Sequence, residues 1–315
     1  MSKDLKEKTF SELEKIVTEL GQKKFLAGYI FNFIHEKNAS EISQISPLSK
    51  SFREQLVNQG YIISKLTLAK KLTSQDKTAK YLFTLEDGKQ IETVLLHDGK
   101  RKTLCISTQV GCDMNCLFCA TGRIKFKRNL SAGEIVDQVN SVEADAGKIS
   151  NIVYMGMGEA LLNYDSVTKS VRILNHAKGK NIGIRHLTVS TCGIVPGIKK
   201  LAKEELHPRL AVSLNAPEDE LRTKLMPVNA KYPLDDLFKA IRLYQDSTRR
   251  RITFEYILLD EVNDSPGQAR QLAHLVAGLN CHINLIAANK TLGDLRPSNQ
   301  DKILAFAEEL KRLRI

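Results

Sequence analysis

The chain has 315 residues, enough for one large domain or a large domain with an appendage, and its 42% apolar residues supply a substantial core. Against 36 acidic residues stand 47 basic ones, a net charge of +11 that favours a polyanionic partner, nucleic acid first, although a basic surface without a ligand gives the same count. No apolar run reaches the length of a membrane span, and MSKDLKEKTFSELEK lacks the apolar region of a secretion signal. The expectation is a cytoplasmic, monomeric chain with no membrane partner. Three of the six cysteines crowd into residues 112–119, which points to metal or redox chemistry rather than disulfides.

Residues 1–65 read as a small helical accessory domain. Ser11 and Glu14 have the spacing of a capping box, followed by Leu13, Ile16, Val17 and Leu20 at helical intervals. Phe25, Tyr29, Ile30 and Phe33 suggest a second helix, and Leu48, Phe52 and Leu56 a third. Its many lysines suit either an RNA grip or a solvated cap. Residues 66–99 read as a connector, a β-hairpin in which TAKYLFTL and QIETVLLH flank the turn signal Asp87-Gly88. From residue 100 to 315 the pattern alternates. Strands are expected at 103–108, 151–156, 186–190, 209–214, 252–259 and 282–287. Helices are expected at 131–146, 165–177, 197–204, 233–246, 266–278 and 298–313. Such alternation implies a parallel sheet, and six units are too few for a closed eight-stranded barrel. The expected fold is therefore α/β, a partial (β/α)6 barrel whose ligands gather at the carboxyl ends of the strands.

The segment GCDMNCLFCATG follows the first of these strands and spaces Cys112, Cys116 and Cys119 as C-x3-C-x2-C. One loop can bend three thiolates at that spacing around a single centre. A [4Fe–4S] cluster ordinarily takes four cysteines, so three leave one iron open to a ligand such as the amino and carboxylate groups of S-adenosylmethionine. A structural zinc site wants a fourth ligand, commonly in a second pair, and no such pair lies nearby.

The runs TLCISTQVGCDMNCLFCATG, RNLSAGEIVDQV, MGMGEALLN, LTVSTCGIVPGI, AVSLNAPEDELRTKLMPVN and INLI together resemble the radical S-adenosylmethionine superfamily. More narrowly, they resemble the RlmN and Cfr group of RNA methyltransferases, which modify an adenine of large-subunit ribosomal RNA. The resemblance implies a radical-SAM barrel holding a [4Fe–4S] cluster and S-adenosylmethionine. It implies an RNA substrate, ribosomal and also transfer RNA, and an electron donor such as flavodoxin or ferredoxin. Carbon-2 of adenine is the expected target rather than carbon-8. Matched residue by residue, Gly158, Glu159, Ser190, Ser213, Leu214, Asn215 and Asn289 would contact S-adenosylmethionine. Without the match, the serines and asparagines read as ordinary loop caps. Cys105 would resolve a covalent protein–RNA intermediate, and Glu92 would accept a proton. Read alone, Cys105 is a core cysteine and Glu92 a solvent-facing strand residue.

Basic residues flank these motifs: Arg123, Lys125, Lys127 and Arg128 after the cysteine loop, and Arg249, Arg250 and Arg251 before the fifth strand. They suit phosphate contacts or simple solvation. The sequence departs from the family in three places. Ala160 stands where many members carry proline, IAANK follows INLI in place of a proline-and-aromatic run, and the sequence given ends at EELKRLRI without the family's further cysteine. In the family that cysteine receives the methyl group, and Cys192 is not expected to replace it. The expectation is a shortened chain, a radical enzyme of different chemistry, or a non-catalytic RNA-binding relative.

Overall fold

The computed structural model describes residues 3–289 and 295–315. They form an α/β chain of two compact units. The first comprises Met1–Val110, Arg128–Met157 and Asn163–Leu187; the second comprises Gly111–Lys127, Gly158–Leu162 and Thr188–Ile315.

In the first unit three helices lead the chain: α1 (Phe10–Glu19), α2 (Leu26–His35) and α3 (Lys50–Asn58). Thr9, not Ser11, caps α1. Its hydroxyl accepts the Glu12 amide at 3.3 Å, while the Glu12 carboxylate accepts the Thr9 amide at 2.7 Å. The run TFSELE offers two overlapping box frames, and the earlier one frees Phe10 to stack on His176 and meet Phe31 edge-on. On α2 the buried face is Ala27, Ile30, Phe31, Ile34 and His35, whereas Phe25 and Tyr29 are exposed. The helix carries two aromatic stripes, and periodicity alone does not say which one finds neighbours.

The expected hairpin is present as β2 (Ala79–Thr84) and β3 (Gln90–Asp98). Two further strands extend it, β1 (Thr67–Thr73) outside β2 and β4 (Arg101–Cys105) beyond β3, all antiparallel. β1 escapes a pattern search because all seven of its residues are exposed, leaving no buried face to alternate with. One face of this sheet is core: Ala79, Tyr81 and Phe83 on β2, Ile91, Thr93 and Leu95 on β3, Leu104 on β4. On its other side β4 pairs in parallel with β7 (Asn151–Tyr154). A short ribbon of β5 (Gln109–Val110) and β6 (Arg128–Asn129), with α4 (Ala132–Ala146) and α5 (Tyr164–Asn175), completes the unit.

A buried acid on α4 ties the N-terminus to the sheet. Asp137 pairs with Lys6 at 2.5 Å and accepts the Leu66 amide at 2.6 Å, both partners being nearly inaccessible. Burying two charges is tolerable only when each is this fully engaged. Nearby, Gln138 holds Ser107 by both its amide and its carbonyl, at 2.8 and 2.9 Å, and accepts the Thr93 hydroxyl at 2.8 Å.

In the second unit β8 (Leu187–Thr191), β9 (Arg209–Ser213), β10 (Ile252–Leu258) and β11 (Cys281–Ala287) run parallel in that order. The helices α6 (Val195–Leu201), α7 (Asp219–Leu225), α8 (Leu234–Thr248), α9 (Pro266–Val276) and α10 (Gln300–Arg312) intervene or follow. β4, β7 and these four strands match the six expected core strands. α7 was not expected; its seven residues give less than two turns of periodicity.

Candidate functional site

The cysteine loop is closed by its own backbone. Gly111 has φ +74°, and a Cβ there would lie 2.2 Å from the Lys125 carbonyl oxygen. Only glycine permits that approach. The Cys112 amide then donates to the Ile124 carbonyl at 3.0 Å, and the Cys119 amide to the Cys116 carbonyl at 3.1 Å. The Leu117 amide donates to the Leu225 carbonyl at 3.0 Å, docking the loop on α7. All three thiols are free. Burial, with the Glu159 carboxylate and neighbouring thiols adding to it, pushes Cys112 up to about 11 and Cys116 up to about 12. Among the described residues no group of three His, Cys, Asp or Glu side chains is gathered tightly enough to hold a metal ion. The donor chemistry nevertheless fits an iron–sulfur cluster: three thiols on one loop, of which Cys112 and Cys116 feel their neighbours and need a metal to become thiolates at neutral pH.

Glu159 is buried, and burial raises its pKa. Its oxygens accept the Cys192 amide at 2.7 Å and the Leu161 amide at 2.9 Å. The carboxylate thus joins the segment after Gly158, itself at φ +99°, to the end of β8. Ser190 and Ser213 are half-buried, and Leu214 and Asn215 are buried just past β9. Asn215 takes a left-handed conformation, φ +59°, and its side-chain oxygen accepts the Ile257 amide at 2.9 Å. Asn289 is exposed two residues beyond β11.

The parallel register carries Ser213, Glu255 and Asn284 on one face of neighbouring strands, with Ser190 on the same side of β8. Glu255 was missed by sequence reading. Its signal was a carboxylate inside the otherwise apolar strand ITFEYILL. Here it accepts from Asn284 at 2.7 Å, and burial raises its pKa. Arg222 was also missed, although it is fully buried. It donates to the carbonyls of Cys192 at 2.6 Å, Leu214 at 3.1 Å and Ser213 at 3.2 Å, and to the Asn229 side chain at 2.8 Å.

In the first unit the register puts Leu72, Lys80, Val94, Cys105 and Val153 in one row across five strands. Glu92 lies two residues from Val94 on β3 and so faces the same way as Cys105. This face is the open one. Cys105 is a thiol held up at about 12, chiefly by burial. Glu92 is exposed and pairs with Lys80 at 3.1 Å. Of the basic residues after the cysteine loop, Arg128 is already engaged, bidentate on Glu134 at 2.8 Å and joined to Asp87 at 2.7 Å.

A family model described as the radical SAM superfamily matches residues 106–273, and one described as the ribosomal RNA large subunit methyltransferase N-terminal domain matches residues 3–62. The "Dual-specificity RNA methyltransferase RlmN" of Syntrophobacter fumaroxidans is 46% identical over 315 residues, covering 99% of this chain and 92% of that relative. The chain belongs to the RlmN family of the radical SAM superfamily. Another RlmN relative, "Probable dual-specificity RNA methyltransferase RlmN" of Thermoanaerobacter sp., is 46% identical over 96% of this chain and 89% of its own length. The crystal structure of a radical SAM methyltransferase from Sphaerobacter thermophilus superposes with a TM-score of 0.93 at 41% identity, covering 99% of this chain and 93% of that one. The fold is thus the expected radical SAM one, and the RlmN family's cofactors are a [4Fe–4S] cluster and S-adenosylmethionine. No described helix is long and apolar enough to cross a membrane.

Proposed function

We propose that this chain is a radical SAM methyltransferase that modifies carbon-2 of an adenine in 23S ribosomal RNA and in transfer RNA. The observation that carries the reading is the 46% identity with an RlmN relative over an alignment that covers 99% of the chain, together with the radical SAM match over residues 106–273, which spans the cysteine loop. The net charge of +11 supports a polyanionic substrate.

Cys112, Cys116 and Cys119 would hold the cluster. Gly158, Glu159, Ser190, Ser213, Leu214, Asn215 and Asn289 would hold S-adenosylmethionine. When bound, this pair supplies a 5′-deoxyadenosyl radical by one-electron cleavage of the sulfonium, the electron coming from a flavodoxin or ferredoxin. The rest falls to the chain's own groups. Glu159 keeps two backbone segments joined through its carboxylate, and the glycine at 158 leaves room for a ligand to approach the backbone. Glu92 is a solvent-accessible carboxylate, paired with Lys80, that would take a proton from the adenine carbon being modified. Cys105, beside Val94 on the same face, stays a neutral thiol until a base removes its proton; its thiolate would then attack the sulfur of the methyl-carrying cysteine in the covalent protein–RNA intermediate, forming an S–S bond as the sulfur–carbon bond to the RNA breaks and the released carbon takes the electron pair and a proton.

The full-length gene product should be reconstituted with iron and sulfide without oxygen, then supplied with S-adenosylmethionine, a reductant and a ribosomal RNA fragment. Mass spectrometry of the digested RNA should show 2-methyladenosine. Release of 5′-deoxyadenosine with no methylated adenine in ribosomal or transfer RNA would overturn this reading.

A further inference from the structure

We propose that Arg222 is a positioning residue that fixes a buried positive charge beside the cysteine loop and so raises the reduction potential of the cluster bound there. The inference rests on the assignment of Cys112, Cys116 and Cys119 as cluster ligands.

Three observations carry it. First, Arg222 is fully inaccessible, yet among the described residues no carboxylate forms an ion pair with it. A buried guanidinium is ordinarily neutralised by an acid. Asp219, the carboxylate that acts on it, turns Oδ1 instead to the Leu234 amide and the Asn229 side chain, both at 2.8 Å. Burial lowers the Arg222 pKa only to about 10, so it stays charged at neutral pH.

Second, the charge cannot move. Four hydrogen bonds, to the carbonyls of Cys192, Ser213 and Leu214 and to the Asn229 oxygen, orient the planar fork. A Cβ at Gly193 would already lie 3.2 Å from Nη2, so the guanidinium is packed against backbone.

Third, the fixed charge lies on the helix that docks the cysteine loop. Arg222 sits one turn before Leu225, whose carbonyl receives the Leu117 amide from between Cys116 and Cys119.

A cluster with three thiolates becomes more negative on one-electron reduction. In a region shielded from water, an uncompensated cation nearby favours the reduced form. The same fork also holds the backbone just past β8 and β9, where the candidate S-adenosylmethionine contacts lie.

The test is an EPR-monitored redox titration of the reconstituted full chain and three variants. Arg222→Lys keeps the charge and should hold the midpoint potential near that of the unmodified chain. Arg222→Gln removes the charge and should shift the midpoint to more negative values. Arg222→Met removes the charge with an apolar stem that fills the same space, and should shift it the same way. If Arg222→Gln does not fold, Arg222→Met carries the test. Neutralising variants that fold, load the cluster and titrate at the unmodified potential would overturn the inference while leaving the ligand assignment standing. A purely structural arginine would destabilise all three variants and move no potential. Failure of the unmodified chain to take up any iron–sulfur cluster would overturn the ligand assignment, and this inference with it.

Discussion

Replacing Gly111 by alanine probes the loop on which the chemistry depends. The residue sits at φ +74°, where an L side chain costs about 1–2 kcal/mol. The new Cβ would also lie 2.2 Å from the Lys125 carbonyl oxygen and 2.8 Å from that of Ile124, so backbone has to give way. Overpacking of this kind costs about 1–3 kcal/mol. Together the penalty is about 2–5 kcal/mol, and it falls on the strap that the Cys112–Ile124 hydrogen bond closes. If the whole penalty opposes cluster binding, affinity falls by roughly 30-fold to several thousand-fold, at tenfold per 1.4 kcal/mol. The assay is iron and sulfide per chain after anaerobic reconstitution and desalting, alongside thermal unfolding. Gly88→Ala is the control. It has a similar φ of +77° and nothing within 4 Å of its Cβ, so it should cost only the conformational part and keep full iron. If Gly111→Ala loads iron like Gly88→Ala, the close approach does not govern the loop.

Three other outcomes are expected. Asp137→Ala leaves Lys6 charged and buried without its partner, and urea denaturation should show a loss of about 3–5 kcal/mol. His35 is inaccessible, with both ring nitrogens unpartnered, and burial lowers its pKa well below 6.5. A base so depressed contributes stability above its unfolded pKa that is lost as pH falls below about 6.5; His35→Leu should therefore remove that acid sensitivity and gain about 1 kcal/mol at neutral pH. A denaturation series from pH 7 to pH 5 in which the two chains stay parallel would count against this. Glu92→Gln and Cys105→Ala should keep cluster loading and 5′-deoxyadenosine release while RNA methylation drops about 100-fold or more. Equal loss of both products would argue against roles confined to the later steps.

The parallel core was legible because each of its strands is an apolar run between helical periods, and all six expected strands are present. The cysteine loop was legible from spacing alone. β1 was not, because an edge strand exposed at every residue has no pattern to read. Arg222 and Glu255 were hidden for a different reason. In the sequence an arginine in EDELRTKL looks like a solvated helix charge, and only the packing of α7 shows that it faces inward. The choice between Thr9 and Ser11 as the cap depended on Phe10 finding Phe31 and His176, partners far away in the chain.

The antiparallel register between β3 and β4 makes backbone spacing a determinant of chemistry. Val94 lies opposite Cys105, and Asp98 opposite Arg101 across a two-residue turn of Gly99 and Lys100. Because side chains alternate with a period of two, one residue inserted in that turn and absorbed as a slip would point Cys105 into the core and bring Leu104 to the open face. No residue named as functional would have changed, yet the thiol and Glu92 would no longer share a side. The length of this hairpin therefore decides what reaches the open face as strictly as the identity of the residues does.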